Sequence, residues 1–148
     1  MGRKRRVGII VGIVLVVSFI GLTLSIVLNT KEVFFKYVQN NRAELESFAV
    51  ELVSTSKEDT STTYKGWDVF YWHNTNHVEF ITHKKGLTSN SAILGFYYSP
   101  DNQPMAFQGY QVKFDNYEYG WKWTDPESDN WGYTERITQN WFWFEAQF

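Results

Sequence analysis

Residues 117–123 read YEYGWKW, with Tyr117, Tyr119, Trp121 and Trp123 at every second position and Glu118, Gly120 and Lys122 between them. Side chains alternate across a β-strand, so a single strand here places four rings on one face and the polar residues on the other. Polar residues on one side assign the rings to a buried face. The same period of two governs the chain from Gly66 onward and makes the C-terminal half a sheet.

The remaining candidate strands are Gly66–Trp72, Val78–Thr82, Ile93–Tyr98, Met105–Gln108, Gln111–Phe114 and Trp141–Phe148, with a further short strand in Thr134–Asn140. The connections HNTN, KKGLTSN, SPDNQP, DN and TDPESDN are built from turn-forming residues. Such short links join antiparallel neighbours. Upstream, Phe34, Val38, Asn41, Leu45, Phe48 and Leu52 step by four and three, the stripe of an amphipathic helix over Thr30–Val53. The stripe is shorter than a coiled coil requires and is expected to pack on the sheet, while the polar run STSKEDTSTT (54–63) reads as a loop. The expected class is therefore α+β, an amphipathic helix laid on a meandering antiparallel sheet.

Val7 to Leu28 is a run of 22 uncharged, mostly apolar residues. As a helix it is about 33 Å long, a match to the roughly 30 Å hydrocarbon core, and is expected to span a membrane. It lacks the small-residue cleavage site of a signal peptide, so the anchor is expected to stay attached. Arg3, Lys4, Arg5 and Arg6 place the N-terminus inside. The organisation is then a basic tail (1–6), a transmembrane helix (7–28) and an extracytoplasmic domain (29–148). Gly8 and Gly12 form a GxxxG pair that lets two such helices approach closely, the basis for a weak homodimer.

Those four bases account for part of the 14 in the chain, leaving 10 against 16 acids, a net charge of −6 beyond the tail. That balance argues against nucleic acid as a partner. With no cysteine, the chain has neither disulfides nor thiolate chemistry. His73 and His77 flank the turn NTN, and Glu79 shares the face of His77, which outlines a small divalent-metal cluster without any spaced metal motif behind it. Asp125, Glu127 and Asp129 start like a calcium loop, but Asn130 and Arg136 stand where glycine and glutamate are needed. No nucleophile frame, phosphate cradle or cofactor motif is present.

Aromatic residues make up 19% of the chain, and strands such as WDVFYWH carry them on both faces. A sheet covered by one helix buries only one face, so some rings are expected on the second face or at an edge; the candidate contacts are Trp67 and Trp72 in that strand, Tyr97 and Tyr98 before the SPDNQP turn, and the loop residue Trp131.

The segments NNRAELESFA, LGFYYSPDNQPMAFQG and GYTERITQNWFWFEAQF resemble small membrane-anchored proteins of Gram-positive bacteria that combine an N-terminal span, an NRxELE-type helix, a GFYYSPD strand and turn, and an aromatic C-terminus. The resemblance covers nearly the whole chain. It implies the anchor and the outer domain but no activity and no functional residues.

The function expected from these features is a non-catalytic, membrane-anchored domain that binds another protein outside the cytoplasm without a cofactor. A carbohydrate or cell-wall binding module is the alternative, and a metal-dependent hydrolase using His73, His77 and Glu79 a third reading.

Overall fold

The computed structural model describes residues 31–86 and 91–148. Helix α1 spans Lys31–Asn40 and α2 spans Arg42–Thr55. The single predicted helix breaks at Asn41, which has φ −112° and ψ 16°. Its side-chain amide donates to the Tyr37 carbonyl at 2.8 Å, the same oxygen its backbone N–H reaches at 3.0 Å. A side chain that competes for the acceptor four residues back bends a helix. On either side of the bend, Phe34, Val38, Leu45 and Ala49 are buried, and Phe48 and Leu52 pack against the same cluster. The predicted stripe therefore does face the sheet.

Eight strands follow: β1 Thr60–Tyr64, β2 Trp67–Trp72, β3 His77–Lys85, β4 Ala92–Tyr98, β5 Asp115–Tyr117, β6 Gly120–Thr124, β7 Trp131–Thr138 and β8 Trp141–Gln147. Every pairing is antiparallel, in the order β1-β2-β3-β4-β8-β7-β6-β5. The described chain is thus α+β, two helices with one eight-stranded antiparallel sheet. Two four-stranded meanders, rather than one, meet where β4 pairs with β8. Trp141, Phe142, Trp143 and Phe144 are all buried, so β8 has two apolar sides and belongs at the centre.

The opening stretch is a hairpin, not one strand. Tyr117 pairs with Gly120, and Glu118 takes a left-handed φ of 49° in the turn. A Cβ on Gly120 would come within 2.0 Å of the Thr134 carbonyl oxygen, so this position of β6 requires glycine. The four rings divide accordingly. Trp123 is buried and Trp121 half-buried, whereas Tyr117 is 48% and Tyr119 84% exposed. In the β1–β2 hairpin, Lys65 and Gly66 have φ of 49° and 86°, the two positive values of a type I′ turn.

Two differences from the expected strands have simple causes. β1, TSTTY, begins inside the stretch read as loop because an edge strand exposed at its centre carries no apolar alternation, and its β-branched residues are three threonines. Met105–Gln108 and Gln111–Phe114 are not strands. Gln108 and Gly109, at φ 57° and 68°, interrupt them within a short 3₁₀ turn over Phe107–Gly109.

These last residues belong to a strap, 99–114, that leads from β4 to the far edge strand β5. Its Ala106 and Phe107 are buried, and Met105, Val112 and Phe114 pack beside them against Ile81, Tyr97, Trp123, Phe142, Phe144 and Ala146. The helices cover the opposite side, over Val69, Tyr71, Val78, Phe80, Phe96, Tyr98 and Trp141. Neighbouring residues in β4 and β8 alternate between the two clusters, as side chains on opposite faces must. Rings stack on each side, Phe80 on Phe96 at 4.8 Å and Tyr97 on Phe142 at 5.1 Å between centroids. Rings expected to be surplus on a bare second face are therefore a second core layer.

At the centre of β4, a Cβ on Gly95 would lie 2.0 Å from the Phe80 carbonyl oxygen and 2.8 Å from the Phe144 ring. Gly95→Ala is expected to cost about 3 kcal/mol, because backbone cannot yield as a side chain can. Gly66→Ala has open space around it and a strained φ, and is expected to cost about 1 kcal/mol. Urea unfolding checks the order, with midpoints shifting at unchanged slope.

Candidate functional site

Two polar constellations stand out, one buried under the strap and one open on the helix side of the sheet. The buried one is built on β3. His77 and Glu79 point to the strap side, 0% and 1% exposed, and His77 Nε2 lies 3.1 Å from Glu79 Oε1. Trp72 Nε1–H donates to Glu79 Oε2 at 2.7 Å, and the backbone N–H of Gln108 donates to Oε1 at 2.7 Å. A carboxylate that only accepts sets the proton on Nε2 and leaves Nδ1 for the Thr75 hydroxyl, 2.8 Å away. One strand over, the buried Tyr97 hydroxyl accepts from the Met105 N–H at 2.9 Å and lies 2.8 Å from Thr134 Oγ1. Burial pushes the Tyr97 hydroxyl above the ordinary phenol range.

The strap is thus fastened at two backbone N–H groups by two buried side chains. Its base is held by Asn102, whose side-chain oxygen accepts from Arg136 and from the Asn140 N–H, and by the Asn102 carbonyl, 3.1 Å from Arg136 Nη2. Arg136 lies over the Phe142 ring at 4.6 Å. Both oxygens of Glu79 are thus engaged by fixed donors.

His73 stands apart from it. It is exposed, with its backbone N–H on Asp59 and its ring edge-on to Tyr71. The metal trio drawn from the sequence is thus divided, and among the described residues no group of three or more His, Cys, Asp or Glu side chains is placed to hold a metal ion. In the calcium-like loop, Asp125 accepts from Glu127 N–H and Ser128 Oγ–H, at 2.9 and 2.8 Å, and these bonds hold its carboxyl below the usual range.

Four of the five aromatic contact candidates have partners inside the fold. Tyr97 and Tyr98 are buried, Tyr98 against Trp141, and neither reaches the surface as the sequence reading proposed. Trp67 packs edge-on to Tyr37 and Phe96, and Trp72 stacks on Phe70 beside its bond to Glu79. Trp67 and Trp72 each also line a shallow groove, and Trp131 stands at an open site on the helix side.

That site is a cavity of about 200 Å³ lined by Tyr117, Lys122, Trp131, Tyr133 and Glu145 of the sheet and Glu118 of the β5–β6 turn. Register accounts for it: Lys122 lies opposite Tyr133, and Tyr133 opposite Glu145, so the three share the helix-side face. Tyr117 meets Tyr133 edge-on at 5.8 Å. Lys122 Nζ sits 5.7 Å from the Tyr117 ring centre and 5.1 Å from that of Trp131. The Tyr133 hydroxyl donates to Glu135 at 2.9 Å, and burial together with the Glu135 carboxylate raises it above the ordinary phenol range. Sequence reasoning found Trp131 but missed Tyr117, Lys122 and Tyr133, because a single strand over Tyr117–Trp123 puts Tyr117 and Trp123 on one face. A second groove, about 250 Å³, runs between Tyr110, Trp123, Asp125 and Asn130 on the strap side.

No protein-family model, curated protein or solved structure matches the chain.

Removing the Glu79 carboxylate leaves the His77 ring, the Trp72 indole and the Gln108 N–H without their acceptor. Glu79→Ala is expected to cost roughly 3–5 kcal/mol, the scale of losing two or three hydrogen bonds to a charged acceptor, and Glu79→Gln less, since one acceptor remains. Equilibrium denaturation of both variants measures the difference.

Proposed function

We propose that the protein is a membrane-tethered, non-catalytic domain that works outside the cytoplasm by binding another protein through the β5–β6 hairpin and the open cavity beside it. The observation that carries this reading is the exposed hairpin tip. Tyr119 is 84% exposed and Tyr117 48% exposed, next to the half-buried Trp131. Large rings held at low conformational cost on a rigid edge serve as interface anchors. The tether rests on the uncharged Val7–Leu28 run and the basic residues before it, which also fit the resemblance to anchored Gram-positive proteins. That segment and the Gly8–Gly12 pair lie outside the described residues, among which no helix is long and apolar enough to cross a membrane. The buried, fully engaged His77–Glu79 pair supports a structural rather than a catalytic role.

Binding of cell-wall carbohydrate is a second reading of the same face. Trp131 beside Glu118, Lys122 and Glu145 combines a ring with groups that hydrogen-bond hydroxyls. Lys122 already lies over that ring, which favours the protein partner.

Crosslinking in cells followed by capture of the full anchored chain tests the proposal. Tyr119→Ala is expected to leave stability within about 0.5 kcal/mol and to cut recovery of a specific partner roughly tenfold, the loss of one anchor residue. Equal recovery by the variant would remove the hairpin from the interface. Quenching of tryptophan fluorescence by soluble wall glycan, with no protein recovered, would transfer the site to sugar.

A further inference from the structure

We propose that the cavity between β5, β6 and β7 is an aromatic cage for an organic ammonium group, and that Lys122 is its resident occupant, exchangeable for a cation from outside. This deepens the reading of that face as the contact surface and rests on it.

The walls are three rings. Tyr117 and Tyr133 stand edge to face at 5.8 Å, and Trp131 lines the same cavity. A cation is drawn to the face of a tryptophan or tyrosine within about 6 Å of its centre. Lys122 Nζ satisfies that distance to two of the rings at once, at 5.1 and 5.7 Å. The chain thus places its own ammonium where a cage would hold one.

The charges around the rings favour the same kind of guest. Glu118 and Glu145 line the cavity, and Glu135 lies behind Tyr133 as the acceptor of its hydroxyl. Two carboxylates line the cavity beside one ammonium. Even with Lys122 in place the local balance is negative, so an anion is repelled and a second cation tolerated. Burial first, and then the Glu135 and Glu118 carboxylates, keep the Tyr133 hydroxyl protonated at that wall.

Space and access complete the case. About 200 Å³ is several times the roughly 30 Å³ a water occupies, enough for a trimethylammonium head beside the lysine stem. Tyr117 is 48% exposed, so the cage opens at the sheet edge. Moving Lys122 out into solvent costs little, because its ammonium rests on rings near the surface, where each such contact is worth about 0.5–1 kcal/mol. The guest is therefore an alkylated or primary ammonium, carried either by a lysine side chain of a protein partner or by a small quaternary amine of the surface layer.

The test uses the full chain with its indole N–H signals resolved by NMR. Choline is titrated against 3,3-dimethylbutanol, its neutral isostere, at constant ionic strength, and N-acetyl-trimethyllysine amide and N-acetyl-lysine amide supply the side-chain arm. The expected result is a saturable shift of the Trp131 indole by the cations and none by the isostere. Lys122→Met and Lys122→Gln each remove the resident charge and keep the stem, so either variant that folds serves. Choline binding is expected to tighten about fivefold in it and to vanish in Trp131→Ala. Preference for the lysine derivatives assigns the guest to a protein side chain, and preference for choline to a small amine. Equal shifts by choline and its isostere, or unchanged affinity without Lys122, would overturn the cage. If the cage fails while Tyr119→Ala still abolishes partner capture, the contact surface stands without it.

Discussion

Glu79, buried on β3, receives the N–H of Gln108 and the indole N–H of Trp72 on its two oxygens, and this carboxylate ties the strap to the sheet. The rest of the structure depends on that tie because the sheet is apolar on both faces. A helix layer covers one. Without the strap, Tyr97, Phe142 and Phe144 would meet water, and burying a ring of that size is worth about 1.5–3 kcal/mol each. The polar atoms under the strap are the specific part of an otherwise greasy contact. They fix which residues of 99–114 sit over which strands, since a shifted register would leave buried donors without acceptors.

The two-sided core also explains where the binding surface can be. The helix-side cluster reaches Trp141 and Trp143 of β8 and the strap covers the other face, which leaves Tyr117 and Tyr119 exposed at the β5–β6 hairpin and Tyr110 exposed on the strap. There the hairpin needs a left-handed residue at Glu118 and glycine at Gly120, and it carries Tyr119 out into solvent as a consequence. Function, on this account, occupies the part of the sheet that neither covering layer reaches.

The class of fold was legible in the sequence because period 3.6 gives way to period 2, and the helix stripe and the strands Trp67–Trp72, Ala92–Tyr98 and Trp141–Gln147 fall close to where the pattern puts them. What the pattern could not carry was topology. Within 111–114 the alternation is real, with Val112 and Phe114 packed on the sheet, yet alternation describes a segment lying across a sheet as well as one paired into it, and Met105, Ala106 and Phe107 pack there at consecutive positions. The same limit hid the hairpin at Glu118, which lacks the Asn-Gly or Asp-Gly that announces a tight turn. Tyr97 and Tyr98 looked like surplus rings only while one face was assumed bare. Of the proposed contacts, Trp131 stands at an open site, and its companions Lys122 and Tyr133 become visible only through cross-strand register.

Hydrogen exchange at the backbone N–H groups of Met105 and Gln108 tests the central claim most directly. Neither residue lies in a strand, so no ladder bond protects them; their acceptors are the Tyr97 hydroxyl and the Glu79 carboxylate. The account predicts protection approaching that of β4 and β8, lost at Gln108 in Glu79→Ala. Exchange of both amides at the rate of an exposed loop would contradict it and leave the second face of the sheet without its cover.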